Sequence, residues 1–367
     1  MFDGCDACLR RAFLIAHLAP RIAGVLGTAG RRANGLLGLP EDELVAAVAG
    51  RRVAEALAFL DELDVGSERA RLSEPELHVV CLHSRRYPPL LRDLPDPPAV
   101  LFAAGRVDTL ATIAREPAVT IVGTRRASPY GTEVAYALGR GLGAGGVPVV
   151  SGLALGIDGT AHRGCLDGGG VPVAVVAGGP DVVYPRRHRS LHAHVRESGI
   201  VISELPPGAE PYRWSFPARN RIMAGLARMT LVVEAADPSG SLITAEFAKD
   251  LGRCVAAVPG RITSSVAEGT NNLLKDGATP IAGTADVLDE LFGVGARSGP
   301  SLADEPHLPA EPKVRSVLEA AESHDSVEAI AAAAGETVAA TRAALGRLEL
   351  DGYLVRRDLG GWQRAAR

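Results

Sequence analysis

The stretch SFPARNRIMAG, residues 215–225, sets Arg219, Asn220 and Arg221 side by side between a proline and an apolar run. Two guanidiniums flanking an amide call for an anionic partner. Arginines also gather nearby. Residues 181–196 carry Arg186, Arg187, Arg189 and Arg196 against Asp181, and residues 210–230 carry Arg213, Arg219, Arg221 and Arg228 against Glu210. Each window is net +3 in a chain of net charge −4. With Arg125 and Arg126 they suit a groove that follows several phosphates; ordinary solvated helix faces are the alternative. Tyr212, Trp214 and Phe216 fall within the same stretch, in a chain with only 4% aromatic residues. They offer base-stacking surfaces or, equally, anchors for a core.

Two further segments place small polar residues before a helix, where free backbone N–H groups favour anions. DPSGSLITAEFAKDLG contributes Ser239, Gly240, Ser241 and Thr244, and EGTNNLLKDGA contributes Gly269, Thr270, Asn271 and Asn272. Asp158 and His162 stand four apart in SGLALGIDGTAHRG. That spacing shares a helix face, but no nucleophile or metal completes an acid–base pair, so a cap and a hydrogen-bonded histidine are the simpler reading. His188, His192 and His194 lie among arginines without a matching thiol or carboxylate cluster. Neither a metal nor a cofactor is expected.

The elements that must position these residues lie between about 115 and 290. Seven β-branched apolar runs recur there: AVTIVG, VPVVSG, VPVAVVAGG, GIVISE, MTLVVEA, CVAAVPG and ATPI, each followed by a helical stretch. This is the rhythm of βα units around a parallel sheet covered on both faces. Ligands of such sheets bind beyond the carboxyl ends of the strands. Those ends carry Gly123-Thr124-Arg125-Arg126, Ser151-Gly152, Gly178-Gly179, Ser203-Glu204, Glu234 and Pro259-Gly260, a rim suited to phosphate or carboxylate. Dinucleotide binding is disfavoured. The glycine-rich GRGLGAGG at 139–146 precedes a strand instead of following one, and the true first turn, VGTRRASPYG, lacks G-x-G-x-x-G. The phosphate loop G-x-x-x-x-G-K-[ST] is missing too.

Helical periodicity over residues 9–75 predicts an N-terminal helical module within residues 1–78, ahead of the α/β domain at 79–293. Residues 294–312 have linker composition. Residues 313–367 read as three short helices and a hairpin turning at Gly360 and Gly361, the plan of a winged helix. Its last helix offers only Arg342 and Arg347 against Glu349 and Asp351, a poor charge balance for a helix that reads duplex DNA. A protein contact, or a grip on DNA through Arg356 and Arg357, suits it as well.

With 367 residues, 47% of them hydrophobic and 22% charged, the chain reads as a soluble globular protein of two or three domains. The apolar stretch near its start is preceded by acidic residues and split by a charge pair, so a secretory signal or membrane span does not fit; the expectation is cytoplasmic. The five cysteines are odd in number and scattered, against a disulfide framework. Cys5 and Cys8 form a C-x2-C pair, half of a zinc site or a redox pair, with no second C-x2-C or H-x3-H to complete it; free thiols at a helix start are the plainer reading.

In order along the chain, IVGTRRASPYG, VVSGLALGIDGTAHRG, SFPARNRIMAGL, SGSLITAEFA and PGRITSSVAEGTNNLLKDGA resemble the signature blocks of the bacterial DNA-processing DprA/Smf family, and YPPLLRDLPDPPAVLFAAG at 87–105 fits as well. The resemblance implies an extended Rossmann-like α/β core with an N-terminal helical (SAM-like) module and a C-terminal winged helix. It further implies a homodimer that binds single-stranded DNA, protects it on uptake and loads the RecA recombinase during natural transformation, with no membrane partner. Gly123, Thr124, Arg125, Ser128, Ser151, Gly152, Phe216, Arg219, Asn220 and Arg221 match its DNA-binding positions. On this reading Arg219 and Arg221 are charge clamps on a phosphate backbone and Asn220 is the orienter. The alternative is a nucleotide phosphoribohydrolase of the LOG group, or a nucleotide-binding protein of that kind, which SGSLITAE resembles up to Glu246, although the P-G-G-x-G-T-x-x-E spacing of that group is not kept.

Overall fold

All seven apolar runs form strands of one sheet in the computed structural model, which describes residues 2–26, 35–72, 77–297, 311–350, 353–356 and 361–364. The strands are β1 (Phe2–Asp3), β2 (Leu77–Cys81), β3 (Val100–Gly105), β4 (Val119–Val122), β5 (Val149–Ser151), β6 (Pro172–Val175), β7 (Ile200–Ser203), β8 (Met229–Val232), β9 (Cys254–Ala257) and β10 (Thr279–Pro280). They assemble in the order β1-β2-β3-β7-β6-β5-β4-β8-β9-β10. From β7 to β10 every pairing is parallel. β3 pairs antiparallel with both β7 and β2. The chain leaves β4 toward β5 on one side and returns to β8 on the other, so β4 and β8 flank the topological switch point.

The sheet is covered on both faces, which is why its strands are apolar throughout instead of alternating. Val122, Val150, Val173 and Ile202 pack on one face with Ile222 and Met223 of the helix Ser215–Leu226. Val119, Ile121, Val149 and Leu231 pack on the other with Leu138 of the helix Pro129–Ala144 and Ile157 and Ala161 of the helix Ile157–Asp167. The glycine-rich stretch at 139–146 serves this packing. A Cβ at Gly139 would lie 2.3 Å from the Ala161 carbonyl oxygen, and one at Gly164 would lie 2.1 Å from that of Tyr136. The two helices therefore touch backbone to backbone, and larger residues would push them apart.

The chain folds as two compact units, Met1–Leu302 and Ala303–Arg367. The helices Asp6–Leu26, Glu41–Ala49 and Val53–Glu62 belong to the first and bury Leu14, Leu18, Leu44 and Leu60 against Leu205, Trp214 and Ala218. The second unit holds the helices Pro312–Ser323, Val327–Ala334 and Val338–Leu350, followed by an antiparallel pair, β11 (Leu354–Arg356) and β12 (Trp362–Arg364), around Leu318, Ile330, Leu345 and Trp362. Arg342 and Arg347 pair with Glu328 at 3.8 Å and Glu311 at 3.0 Å. Most of the expected linker, together with Asp351, Arg357 and Gly360, lies outside the described residues. Among the described residues no helix is long and apolar enough to cross a membrane.

Candidate nucleic-acid interface

A cleft of about 920 Å³ opens at the switch point. The turn after β4 supplies Gly123, Thr124 and Arg125, and the start of the helix Gly240–Asp250 supplies Gly240, Ser241 and Thr244 behind its cap, Ser239. The helix Ser215–Leu226 presents Phe216, Arg219, Asn220 and Met223. That spacing of i, i+3, i+4 and i+7 is one helical face.

Inside the cleft Arg219 is almost fully buried. Its Nη1 donates to the Val175 carbonyl and its Nη2 lies 3.7 Å from Asp158. Its Nε has no partner among the described residues, and the same holds for the buried Thr244 hydroxyl. Burial lowers the pKa of Arg219 to about 10 even against the pull of Asp158, so the guanidinium is charged at neutral pH. Burial likewise raises Asp158, which accepts from Gly152 N at 3.1 Å. Gly152 is required by closeness, since a Cβ there would stand 1.8 Å from Arg219 Nη1. Asn220 Nδ2 donates to the Gly240 carbonyl at 3.1 Å, tying the two helices that flank the cleft. Ser239 Oγ is 2.8 Å from Ser241 Oγ and caps the second helix.

At the rim the exposed Arg125 guanidinium stacks over the Phe216 ring, 5.2 Å from its centroid, within cation–π range. Tyr184, half exposed, lies tilted by 56° against Phe216 with ring centroids 5.3 Å apart. Arg126 and Arg213 are exposed as well, and Arg213 lines the cleft. Arg125, Arg213 and Arg219 thus face a single lining carboxylate among the described residues, Asp158. Nothing in the sequence marked Tyr184, which reaches Phe216 only through the loop after β6.

Several expected residues have other work. Arg221 does not line the cleft: it is 1% exposed and pairs with Asp96 at 3.1 Å and Glu204 at 2.7 Å. Burial would lower its pKa, but the two carboxylates overcome this and hold it above the usual arginine value. A phosphate clamp at Arg221 is therefore replaced by an internal ion-pair anchor. Ser128 caps the helix Pro129–Ala144, yet its N and Oγ both donate to the buried Glu234 carboxylate, at 2.9 and 2.5 Å. The anion position at that helix start is filled by the chain's own carboxylate. Ser151 is fully buried and donates to the Ile121 carbonyl at 2.6 Å. Asn271 holds both the N and O of Gly260 at 3.2 Å, and Asn272 donates to Asp237 at 3.1 Å; both pin loops outside the cleft lining. Trp214 lines the cleft, but its indole N–H donates to the Ala19 carbonyl at 2.9 Å and its ring belongs to the core beneath the N-terminal helices. Tyr212 also lines the cleft, partly buried against that core, and Phe216 is the aromatic that carries the Arg125 contact. His188 and His192 are each bound to a carbonyl, of Leu153 and Pro180.

His162 is fully buried and outside the cleft lining. Burial lowers its pKa from 6.5 to about 3, so the folded chain keeps it neutral and unfolding takes up a proton between those values. Its contribution to stability is therefore complete above about pH 6.5 and is lost as pH falls toward 3. At pH 5 the loss is about 2 kcal/mol. In urea titrations at pH 7.5 and pH 5, His162→Leu loses less stability on acidification than the wild type by about that amount; equal losses would contradict this burial account.

A doubly wound sheet with a cationic, partly aromatic crevice at its switch point defines a Rossmann-like ligand-binding domain. Residues 78–292 match the family described as DNA recombination-mediator protein A, and the chain belongs to this DprA/Smf family. It is 41% identical over 275 residues to a putative DNA processing protein DprA of Mycobacterium tuberculosis, spanning 72% of this chain and 68% of that one. It is 40% identical over 222 residues to DNA processing protein DprA of Bacillus subtilis, spanning 60% and 74%. The fold is similar to the X-ray structure of DNA processing protein A from Streptococcus pneumoniae, with a TM-score of 0.62 and 31% identity over 78% of this chain and 96% of that one. A Helicobacter pylori DNA processing protein A structure, described as giving insight into its unique single-stranded DNA binding mode, matches with a TM-score of 0.52 and 29% identity, covering 58% and 95%. The family expected from the signature blocks is thereby borne out.

Proposed function

We propose that the switch-point cleft binds single-stranded DNA, and that the protein protects incoming DNA and delivers it to the RecA recombinase, as a cytoplasmic homodimer, during natural transformation. The observation that carries the DNA reading is the pairing of an exposed cation–aromatic stack, Arg125 over Phe216, with unmet donors behind it, Arg219 Nε and the Thr244 hydroxyl. Phosphates take the donors and cations while a base takes the ring face, the combination single strands require. The start of the helix Gly240–Asp250 adds partial positive charge to the same wall. Delivery to a recombinase is supported by membership of a recombination-mediator family. In the second unit, the winged-helix reading assigns an accessory contact with protein or DNA.

The hydrolytic alternative has less support. Glu246 is exposed and does not line the cleft, and Asp158, the one lining carboxylate among the described residues, is engaged by Gly152 and Arg219. Anisotropy titrations of a fluorescent oligo-dT strand and a matched duplex test the proposal. The expected result is salt-sensitive binding with a clear preference for the single strand. Equal affinity for duplex, or release of free base from nucleoside monophosphates by the wild type, would overturn it.

A further inference from the structure

The two cysteines near the amino terminus acquire partners through the sheet. β1 pairs with β2 in parallel, Phe2 opposite Val79 and Asp3 opposite Val80. This register carries Cys5 and Cys8, at the start of the helix Asp6–Leu26, to the end of β2, where Cys81 and His83 stand. One ligand-capable atom from each of Cys5, Cys8, Cys81 and His83 lies within 4.8 Å of all the others. His83 Nδ1 is 3.4 Å from both Cys5 Sγ and Cys8 Sγ. Cys8 and Cys81 are buried and Cys5 is partly buried, and all three are free thiols. Their surroundings are apolar, with Leu9, Phe13, Val79, Val100 and Phe102 in the same cluster.

We propose that Cys5, Cys8, Cys81 and His83 form a structural zinc site. A tetrahedral zinc ion with bonds of ~2.3 Å to sulfur and ~2.0 Å to nitrogen holds its ligand atoms about 3.5–3.8 Å apart. The S···N separations of 3.4 Å lie close to that edge length. Three thiolates and one imidazole are a ligand set of structural zinc, and four protein ligands leave no position for water or substrate. Thiolate-rich donors disfavour magnesium, calcium and manganese. An iron–sulfur cluster does not fit, because its ligands bind separate iron atoms and four donors this close converge on one ion.

The site also has mechanical sense. β1 is only two residues long and lies at the sheet edge, too short to hold the amino terminus by hydrogen bonds alone. A metal would fasten the start of the first helix to the end of β2. The same helix accepts the Trp214 N–H through Ala19 and so backs the loop that enters the cleft. Binding would release the thiol protons, which makes occupancy weaken in acid.

The test uses the full chain without a polyhistidine tag, purified in reductant from cells supplied with zinc. Mass spectrometric metal analysis is expected to find about one zinc per chain, retained in Cys165→Ser and Cys254→Ser. Cys81→Ser and His83→Ala should retain less than about a tenth and about half of it, respectively. Should these variants fail to fold, the wild type still decides: metal-stripped protein given cobalt(II) develops the intense visible bands of a tetrahedral site and a thiolate charge-transfer band. Full zinc in Cys81→Ser would overturn the proposal. So would a wild type with little zinc and no tetrahedral cobalt spectrum, or one whose Cys5 and Cys8 form a disulfide in place of binding metal.

Discussion

Arg221→Met lowers the free energy of unfolding by about 3–5 kcal/mol, because it leaves two carboxylates buried without their cation. Asp96 and Glu204 converge on this guanidinium with side chains 6% and 11% exposed. Burial already raises the Asp96 pKa against the opposing pull of Arg221, and removal of the arginine deletes that opposition. Urea titration followed by far-ultraviolet circular dichroism measures the loss. Adding Asp96→Asn and Glu204→Gln to Arg221→Met should recover part of it, since the remaining cost is then polar instead of charged. A loss below about 1 kcal/mol, of the size expected for a surface pair, would contradict the anchor. In the folded fraction, the salt dependence of DNA binding should stay at its wild-type slope.

Phe216→Ala weakens single-strand affinity by about 5- to 150-fold, the range for losing one stacked base. Arg125→Ala weakens it as well, and the two effects should not add. The guanidinium lies 5.2 Å from the ring centroid, close enough for each residue to set the other's position. A double-mutant cycle by anisotropy should therefore show coupling of about 0.5 kcal/mol or more. Full additivity would mean that the two groups bind DNA independently. Trp214 provides the contrast: buried and bonded to Ala19, it should cost stability on truncation instead of base stacking.

Much of the fold was legible because a parallel sheet needs strands that are apolar on both faces, and β4 to β10 carry that signature in short runs between turn residues. β1 and β2 do not. Two residues have no periodicity, and LHVVC resembles any half-buried segment until its neighbours are known. The anion-binding rim was legible as a class of site, since small residues and cations follow the strands. Its division of labour was only partly so. Arg219 and Arg221 stand two apart on a helix and so cannot share a face, which by itself separates the cleft arginine from the anchor. The partners that fix the remaining roles come from remote segments. Glu234 meets Ser128 across the switch point, Asp158 meets Arg219, and Cys81 and His83 meet Cys5 and Cys8 through strand pairing. Local patterns carry no information about contacts of that kind.

The most direct test of the central claim is the salt dependence of oligo-dT binding by the wild type and by Arg125→Ala. If Arg125 contacts a phosphate in the cleft, the variant binds more weakly and its plot of log affinity against log salt is flatter by about 0.7, the value for one lost single-strand contact. An unchanged affinity and slope would place the DNA elsewhere on the molecule and remove the switch-point cleft from the account.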